Sequence, residues 1–210
     1  MTVIFIDGFD KYGPAGINWH GIPSSQTGTN LLTLLTAGEW TNGSIQVGGT
    51  GSAYLRIVAP LSSTGQAMEI AGLTGSGASF VTVSKTLPSN YATLIGGFRV
   101  CPITNAAPSG MGIQFNDGTS AQCSIRINST TGTISVASGT VSGTALATSS
   151  TSMSINTTHY LEFQISFGAS ASYQVWLDGI SILSGTGNTR AGTSNNYANL
   201  ITFLANGGNA

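Results

Sequence analysis

Tyr160-Leu-Glu-Phe-Gln-Ile-Ser-Phe167 alternates apolar and polar residues without a break. Leu161, Phe163, Ile165 and Phe167 take one face, and Glu162, Gln164 and Ser166 the other. Successive side chains of a β-strand point to opposite faces, so this period of two predicts a strand with one face in a core. Tyr173-Gln-Val-Trp-Leu-Asp178 repeats the pattern, setting Tyr173, Val175 and Leu177 against Gln174, Trp176 and Asp178. Residues 94–100, 111–115 and 122–127 follow it as well. Shorter strand candidates are residues 3–6, 54–58, 67–71, 79–84, 133–137, 180–184 and 200–204. Asn116-Asp-Gly118, Thr131-Gly132 and Leu177-Asp-Gly179 fall between the runs and tolerate the positive φ that hairpin turns require. Many short, half-buried strands at close spacing predict two packed antiparallel sheets. The fold class expected is therefore all-β, a two-sheet antiparallel jelly-roll sandwich. Residues 30–37, with four leucines, are the one candidate for a short helix, and residues 185–196 read as a long polar loop.

Composition agrees with that reading. A chain of 210 residues fits one domain, since single β-sandwiches often reach about 200–250 residues. Hydrophobic residues make up 40% and charged residues 6%, where about 25% charged is usual. With a net charge of -1 and a mean hydropathy of +0.21, the chain lacks the high charge and low hydrophobicity of disordered segments. Its few basic residues are scattered singly, so no stripe exists to displace counterions from a nucleic-acid backbone. No nucleic-acid or membrane partner is expected, because the opening apolar run is too short for a signal peptide or a membrane span. A sparsely charged surface also resists self-association poorly. Cys101 and Cys123 make no disulfide framework and read as reduced thiols, with a bridge between neighbouring strands as the alternative. The sequons at Asn42, Asn128 and Asn156 read as chance matches in a chain rich in Asn, Ser and Thr.

Three stretches together resemble the concanavalin A-like lectin and laminin-G superfamily. They are Ile95-Gly-Gly-Phe-Arg-Val100 leading into Gly112-Ile-Gln-Phe-Asn-Asp-Gly118; Ser124-Ile-Arg-Ile-Asn128 followed by Thr131-Gly-Thr-Ile-Ser-Val136; and His159 to Phe167 followed by Tyr173-Gln-Val-Trp-Leu-Asp-Gly-Ile180. The resemblance covers roughly residues 94–204 and bears on fold far more than on function. In addition, Phe5-Ile-Asp-Gly-Phe-Asp-Lys-Tyr12 looks like the start of structural proteins of tailed bacteriophages that carry such a domain. Members of this kind usually end on a strand that returns beside the first one. Here the sequence stops at Leu204-Ala-Asn-Gly-Gly-Asn-Ala210, so the last strand is expected to be missing from a fragment, to be supplied by a neighbour, or to leave the edge open.

Catalytic patterns are sparse. A glycoside hydrolase needs two carboxylates about 5–10 Å apart, and no acidic pair stands at alternate positions of a strand. Asp7 and Asp10 are the closest, flanking a Gly-Phe turn. His20 and His159 are isolated, no nucleophile elbow or zinc spacing occurs, and the glycine runs at 48–51 and 72–77 lack a lysine and a following helix. Some relatives bind calcium, and Asn116 and Asp117 offer oxygen ligands, yet Asn-Asp-Gly is also simply a good turn. No metal or other cofactor is expected.

The resemblance implies a groove lined by the polar faces of the middle strands. Here those faces are expected to present Arg99, Gln114, Arg126, Glu162, Gln164 and Trp176. An exposed aromatic beside amide and guanidinium groups suits sugar stacking and hydroxyl recognition. The simpler reading, with Trp176 filling a gap against a loop and the polar groups solvated, stays open. Trp19 and Trp40 read as core plugs. Two functions follow as expectations. The first is a non-enzymatic bacteriophage virion structural protein, a head decoration or tail appendage. Such a protein would assemble in the host cytoplasm with copies of itself and other virion proteins and be displayed on the virion surface. The alternative is a carbohydrate-binding module recognising host glycans, as in a tail fibre.

Overall fold

The computed structural model describes residues 40–46, 53–58, 67–72, 79–102, 111–128 and 130–207. The strand expected at residues 3–6, the helix expected at 30–37, and Asp7, Asp10, Trp19 and His20 lie outside them. Thirteen strands and no helix occur among the described residues, which form two compact units.

The first unit draws on residues 1–86 and 203–210. Its strands are β1 (Asn42–Gln46), β2 (Ala53–Val58), β3 (Ala67–Gly72) and the first part of β4 (Ser79–Tyr91). β1 pairs antiparallel with β4 from Asn42 opposite Ser84 to Gln46 opposite Phe80, and β2 and β3 form a hairpin. Val81 and Val83 are fully buried, and Trp40 meets the Phe203 ring edge-on at 5.6 Å. Trp40 is thus the core plug its sequence context predicted.

The second unit, residues 87–202, is a two-sheet antiparallel sandwich. Its strands are β5 (Thr93–Val100), β6 (Met111–Asp117), β7 (Ser120–Ile127), β8 (Thr133–Ser138), β9 (Ala145–Ser152), β10 (His159–Ser166), β11 (Ala171–Leu177) and β12 (Ile180–Gly187). The last part of β4 and the first part of β13 (Ala198–Gly207) complete it. One sheet runs β4-β13-β6-β7-β8-β9 and the other β12-β11-β10-β5. Between them lie Ile113, Phe115, Cys123, Ile125, Ile134 and Val136 from the first, and Leu161, Phe163, Ile165, Val175 and Leu177 from the second. Phe115 anchors this layer, with the Phe163 ring 5.1 Å and the Phe167 ring 6.0 Å away. Aromatic pairs at such tilted geometry add about 1 kcal/mol beyond the area they bury.

The expected turns are present. Leu177 pairs with Ile180 across Asp178 (φ 52) and Gly179 (φ 80), so both central residues are left-handed, as a type I′ hairpin requires. Gly118 (φ 57) opens the two-residue turn between β6 and β7.

Three expectations need correction. β4 continues past Ser84 through Pro88; β1 pairs with β4 only as far as Ser84, so the missing proline N–H interrupts no β1 ladder. The polar run expected as a loop from residue 185 starts as strand, because β12 reaches Gly187. Strands β1 and β9 escaped the reading; Ala145-Leu-Ala-Thr-Ser-Ser-Thr-Ser152 has no apolar alternation, and its exposed pattern shows why. At the other end of the chain, β13 lies between β4 and β6 rather than at a sheet edge.

Candidate functional site

Register on the four-stranded sheet fixes which side chains share its outer face. Glu162 stands opposite Trp176 on β11 and opposite Gly97 on β5. Gln164 stands opposite Gln174 and Ile95, and Tyr160 opposite Arg99. The inner partners Leu161, Phe163, Ile165, Tyr173, Val175 and Leu177 are all buried, so the strict alternation turns this entire set outward. Ile95 is 56% exposed and Tyr160 44%, while Glu162, Gln164 and Trp176 are half-buried.

Adjacent glycines on β5 make room for aromatic rings on opposite faces. A Cβ on Gly96 would stand 2.7 Å from Cζ of Phe163, in the core. A Cβ on Gly97 would stand 2.8 Å from Oη of Tyr160 and 3.1 Å from Cγ of Glu162. The hydroxyl end of the Tyr160 ring therefore reaches across β5 over Gly97, and Glu162 leans into the same space.

Asp178 fixes where Tyr160 starts. Its carboxylate accepts the Tyr160 N–H at 2.8 Å through Oδ1 and meets Nδ1 of His159 at 2.7 Å through Oδ2. The hydrogen bond from His159 holds the Asp178 carboxyl below its usual range, with the Tyr160 N–H adding to it. Nε2 of His159 accepts the Ser154 N–H at 3.1 Å, so His159 ties the head of β10 to the preceding loop. That pairing was invisible in the sequence, where nineteen positions separate the two residues.

By contrast, five side chains of the face have no hydrogen-bond partner among the described residues. Among the described residues, none of the hydrogen bonds or ion pairs involves the Arg99 guanidinium, Tyr160 Oη, the Glu162 carboxylate, the Gln164 amide or the Trp176 indole N–H. On the neighbouring strand, Gln174 reaches Oγ of Ser181 at 3.2 Å.

Gln114 and Arg126 belong elsewhere. They lie on β6 and β7, in the other sheet, with the apolar layer between them and the four residues above. The six residues expected to line one groove thus divide into Arg99, Glu162, Gln164 and Trp176 on one outer face, and Gln114 and Arg126 on the opposite one. The physical reason is the topology: β6 and β7 pair with each other and with β8 and β13, never with β10. On that second face, residues 139–144 form a roof. Oε1 of Gln114 accepts the Val141 N–H at 3.3 Å, and Nη1 of Arg126 donates to the Val141 carbonyl at 3.4 Å. Ser124, fully buried opposite Gln114 and two residues before Arg126, has a hydroxyl with no partner.

Gln122, also fully buried, holds a second roof. Its Nε2 donates to Oγ1 of Thr193 and the Asn195 carbonyl, and its Oε1 accepts the N–H groups of Gly192 and Thr193. The Asn116–Asp117 pair considered for calcium is engaged here too. Asn116 is buried and donates to Oγ1 of Thr202, while Oδ2 of Asp117 accepts from Thr193 and Asn195 at 2.8 Å each. The Asn195 amide, first among these donors, keeps the Asp117 carboxyl below its usual range. No group of three or more His, Cys, Asp or Glu able to hold a metal occurs among the described residues. Both cysteines are free thiols, and burial pushes Cys123 up to about 12.

Sequence reasoning missed Tyr160 and Ile95 as members of the open face. The signal was present, since Tyr160 is in phase with Glu162 and Gln164. It missed Gln122 for lack of any signal, because alternation marks a face as polar without telling whether a loop covers it.

Sheet pairing, inward aromatic layer and type I′ hairpin together define a two-sheet antiparallel β-sandwich. Among solved structures the chain is similar to the endo-β-1,4-glucuronan lyase of Trichoderma reesei, with a TM-score of 0.53 at 12% identity over 81% of this chain and 79% of that one. It is also similar to the carbohydrate-binding module CBM66 of Bacillus subtilis, with a TM-score of 0.45 at 8% identity over 76% of this chain and 94% of that one. The globular domain of T. cruzi calreticulin gives 0.49 at 12% identity, over 80% and 78%. At 12% identity the likeness to the lyase is one of fold. The sequence matches no protein-family model and no curated protein.

Proposed function

We propose that this protein is a non-enzymatic carbohydrate-binding module whose glycan lies on the outer face of the β5-β10-β11-β12 sheet. One observation carries the reading: Arg99, Tyr160, Glu162, Gln164 and Trp176 stand together on one sheet face, with their side-chain hydrogen-bonding groups unpaired among the described residues. Sugars present hydroxyls that need both donors and acceptors, and C–H faces that stack on aromatic rings; this face offers all three. Because the strands below are locked by the core, the backbone of the face is fixed before binding, and only side-chain rotamers remain to be ordered by a ligand.

Among the described residues, Glu162 is the one carboxylate on the face away from the hairpin, whereas general acid and base hydrolysis needs two. Asp178 has both oxygens engaged at the hairpin. This supports binding without turnover. The virion-surface role, with other virion proteins and further copies of the chain as partners, rests on residues 5–12, which lie outside the described residues.

The test is a glycan array spanning bacterial surface and plant polysaccharides, probed with the wild-type chain and Trp176→Ala. Wild-type binding that disappears in the variant, with the unfolding midpoint retained, is the expected result. Equal binding by both proteins would remove this face from consideration.

A further inference from the structure

The spacing of the two aromatic rings on this face says which shape of glycan it fits, and the inference rests on the carbohydrate-binding reading above. Gly97, Glu162 and Trp176 form one row across three adjacent strands. Tyr160 delivers its ring end over the first position of the row, because Gly97 lacks the Cβ that would block it. Trp176 occupies the third. Neighbouring strands lie about 4.8 Å apart, so the hydroxyl end of Tyr160 over Gly97 and the Trp176 position are separated by two strand spacings, about 10 Å, with the Tyr160 ring lying between β5 and β10.

We infer that the face binds an extended β-1,4-linked polysaccharide lying across the strands. In such a ribbon-like chain, alternate pyranose rings turn the same face the same way, and the two-sugar repeat matches two strand spacings. One ring stacks near Tyr160 and the next but one on Trp176. The intervening ring sits over Glu162, whose carboxylate accepts from its hydroxyls. Arg99 and Gln164 lie in the rows on either side and reach the hydroxyls along the ribbon's edges. Ile95 extends the apolar floor in the Gln164 row. An α-1,4-linked chain coils, so it cannot keep two like-facing rings in contact with a nearly flat sheet. A monosaccharide engages one station alone.

Calorimetric titration of the full chain tests this, with cellohexaose and chitohexaose as β-1,4 probes and maltohexaose and glucose as controls. At least one β-1,4 hexasaccharide should bind, with affinity rising at least tenfold between the disaccharide and the tetrasaccharide as the second station engages. Tyr160→Ala and Trp176→Ala should each reduce hexasaccharide affinity at least tenfold, and Tyr160→Phe and Trp176→Phe should restore most of it. Gly97→Val should act like Tyr160→Ala, since it displaces the ring while leaving its chemistry intact. Circular dichroism confirms folding in each case. Binding of maltohexaose, or of a branched glycan from the array, with no β-1,4 probe bound would overturn the linkage assignment and leave the face as a glycan site. Absence of binding to every glycan on the array would overturn both.

Discussion

The two outer faces of the sandwich begin from the same pattern and end differently. On β6, β7 and β8, burial extends to both sides: Gln122, Ser124 and Ser135 are as inaccessible as the isoleucines that alternate with them. On β10 and β11, alternation is clean, and every outward residue keeps contact with solvent. The first face is roofed by residues 139–144 and 188–197, whose peptide groups take up the polar side chains beneath. The second has no such roof among the described residues. A polar side chain on a sheet is thus a structural device where a loop descends on it, and stays open to solvent where none does. The difference lies in the connections, since strand chemistry is similar on both.

Breaking the roofed face should have the largest effect. Gln122→Ala removes the acceptor of two N–H groups and the donor to the Asn195 carbonyl, and empties the space of a fully buried side chain. Losses of this kind cost about 3 kcal/mol in total. Urea unfolding should show that drop, and hydrogen exchange should show residues 188–197 losing protection first. Gln164→Ala, its counterpart on the open face, should change stability by no more than about 0.5 kcal/mol. Equal costs for the two would show that the open face is also holding structure.

A smaller effect of opposite sign is expected at Ser124. Its hydroxyl was taken out of water without gaining a partner, so Ser124→Ala should raise stability by about 1 kcal/mol. A loss of stability would mean that a bound water satisfies the hydroxyl. Cys123, on the inner side of the same strand, should stay unmodified by thiol reagents until the protein unfolds. Burial keeps its thiol protonated up to about 12, and the thiolate is the reactive form. Labelling at the global unfolding rate checks this.

How much of this was legible follows from where each signal is stored. Alternation in Tyr160–Phe167 and Tyr173–Asp178 is local, and it correctly gave strand, buried face and the outward position of Glu162, Gln164 and Trp176. Asp178-Gly179 announced its turn because few other dipeptides tolerate two positive φ values. Grouping Gln114 and Arg126 with them failed, since alternation fixes faces within a strand but does not say which sheet a strand joins. The roofs failed for a related reason: a polar run such as residues 188–197 looks identical whether it is solvated or docked on a buried glutamine. β9 gave no signal because its side chains barely enter the core.

The smallest effect lies at the hinge between hairpin and open face. Asp178 is half exposed, so its attraction to His159 and the Tyr160 N–H is screened by solvent. Its carboxyl is held below the unfolded value by those two donors. A depressed folded pKa contributes stability that is fully present above the unfolded value, about 3.9 for Asp. That contribution is lost as pH falls through the lower folded value, because protonation then discharges the acceptor. Wild-type stability should therefore decline more steeply with acid below about pH 4 than that of Asp178→Asn. The variant should also loosen the Tyr160 N–H, while the type I′ turn survives because Asn tolerates the same positive φ. Urea midpoints across that range, with exchange of the Tyr160 amide, make the comparison. If the two proteins decline in parallel, Asp178 does not hold the head of β10, and the position of the Tyr160 ring is set by Gly97 and its neighbours alone.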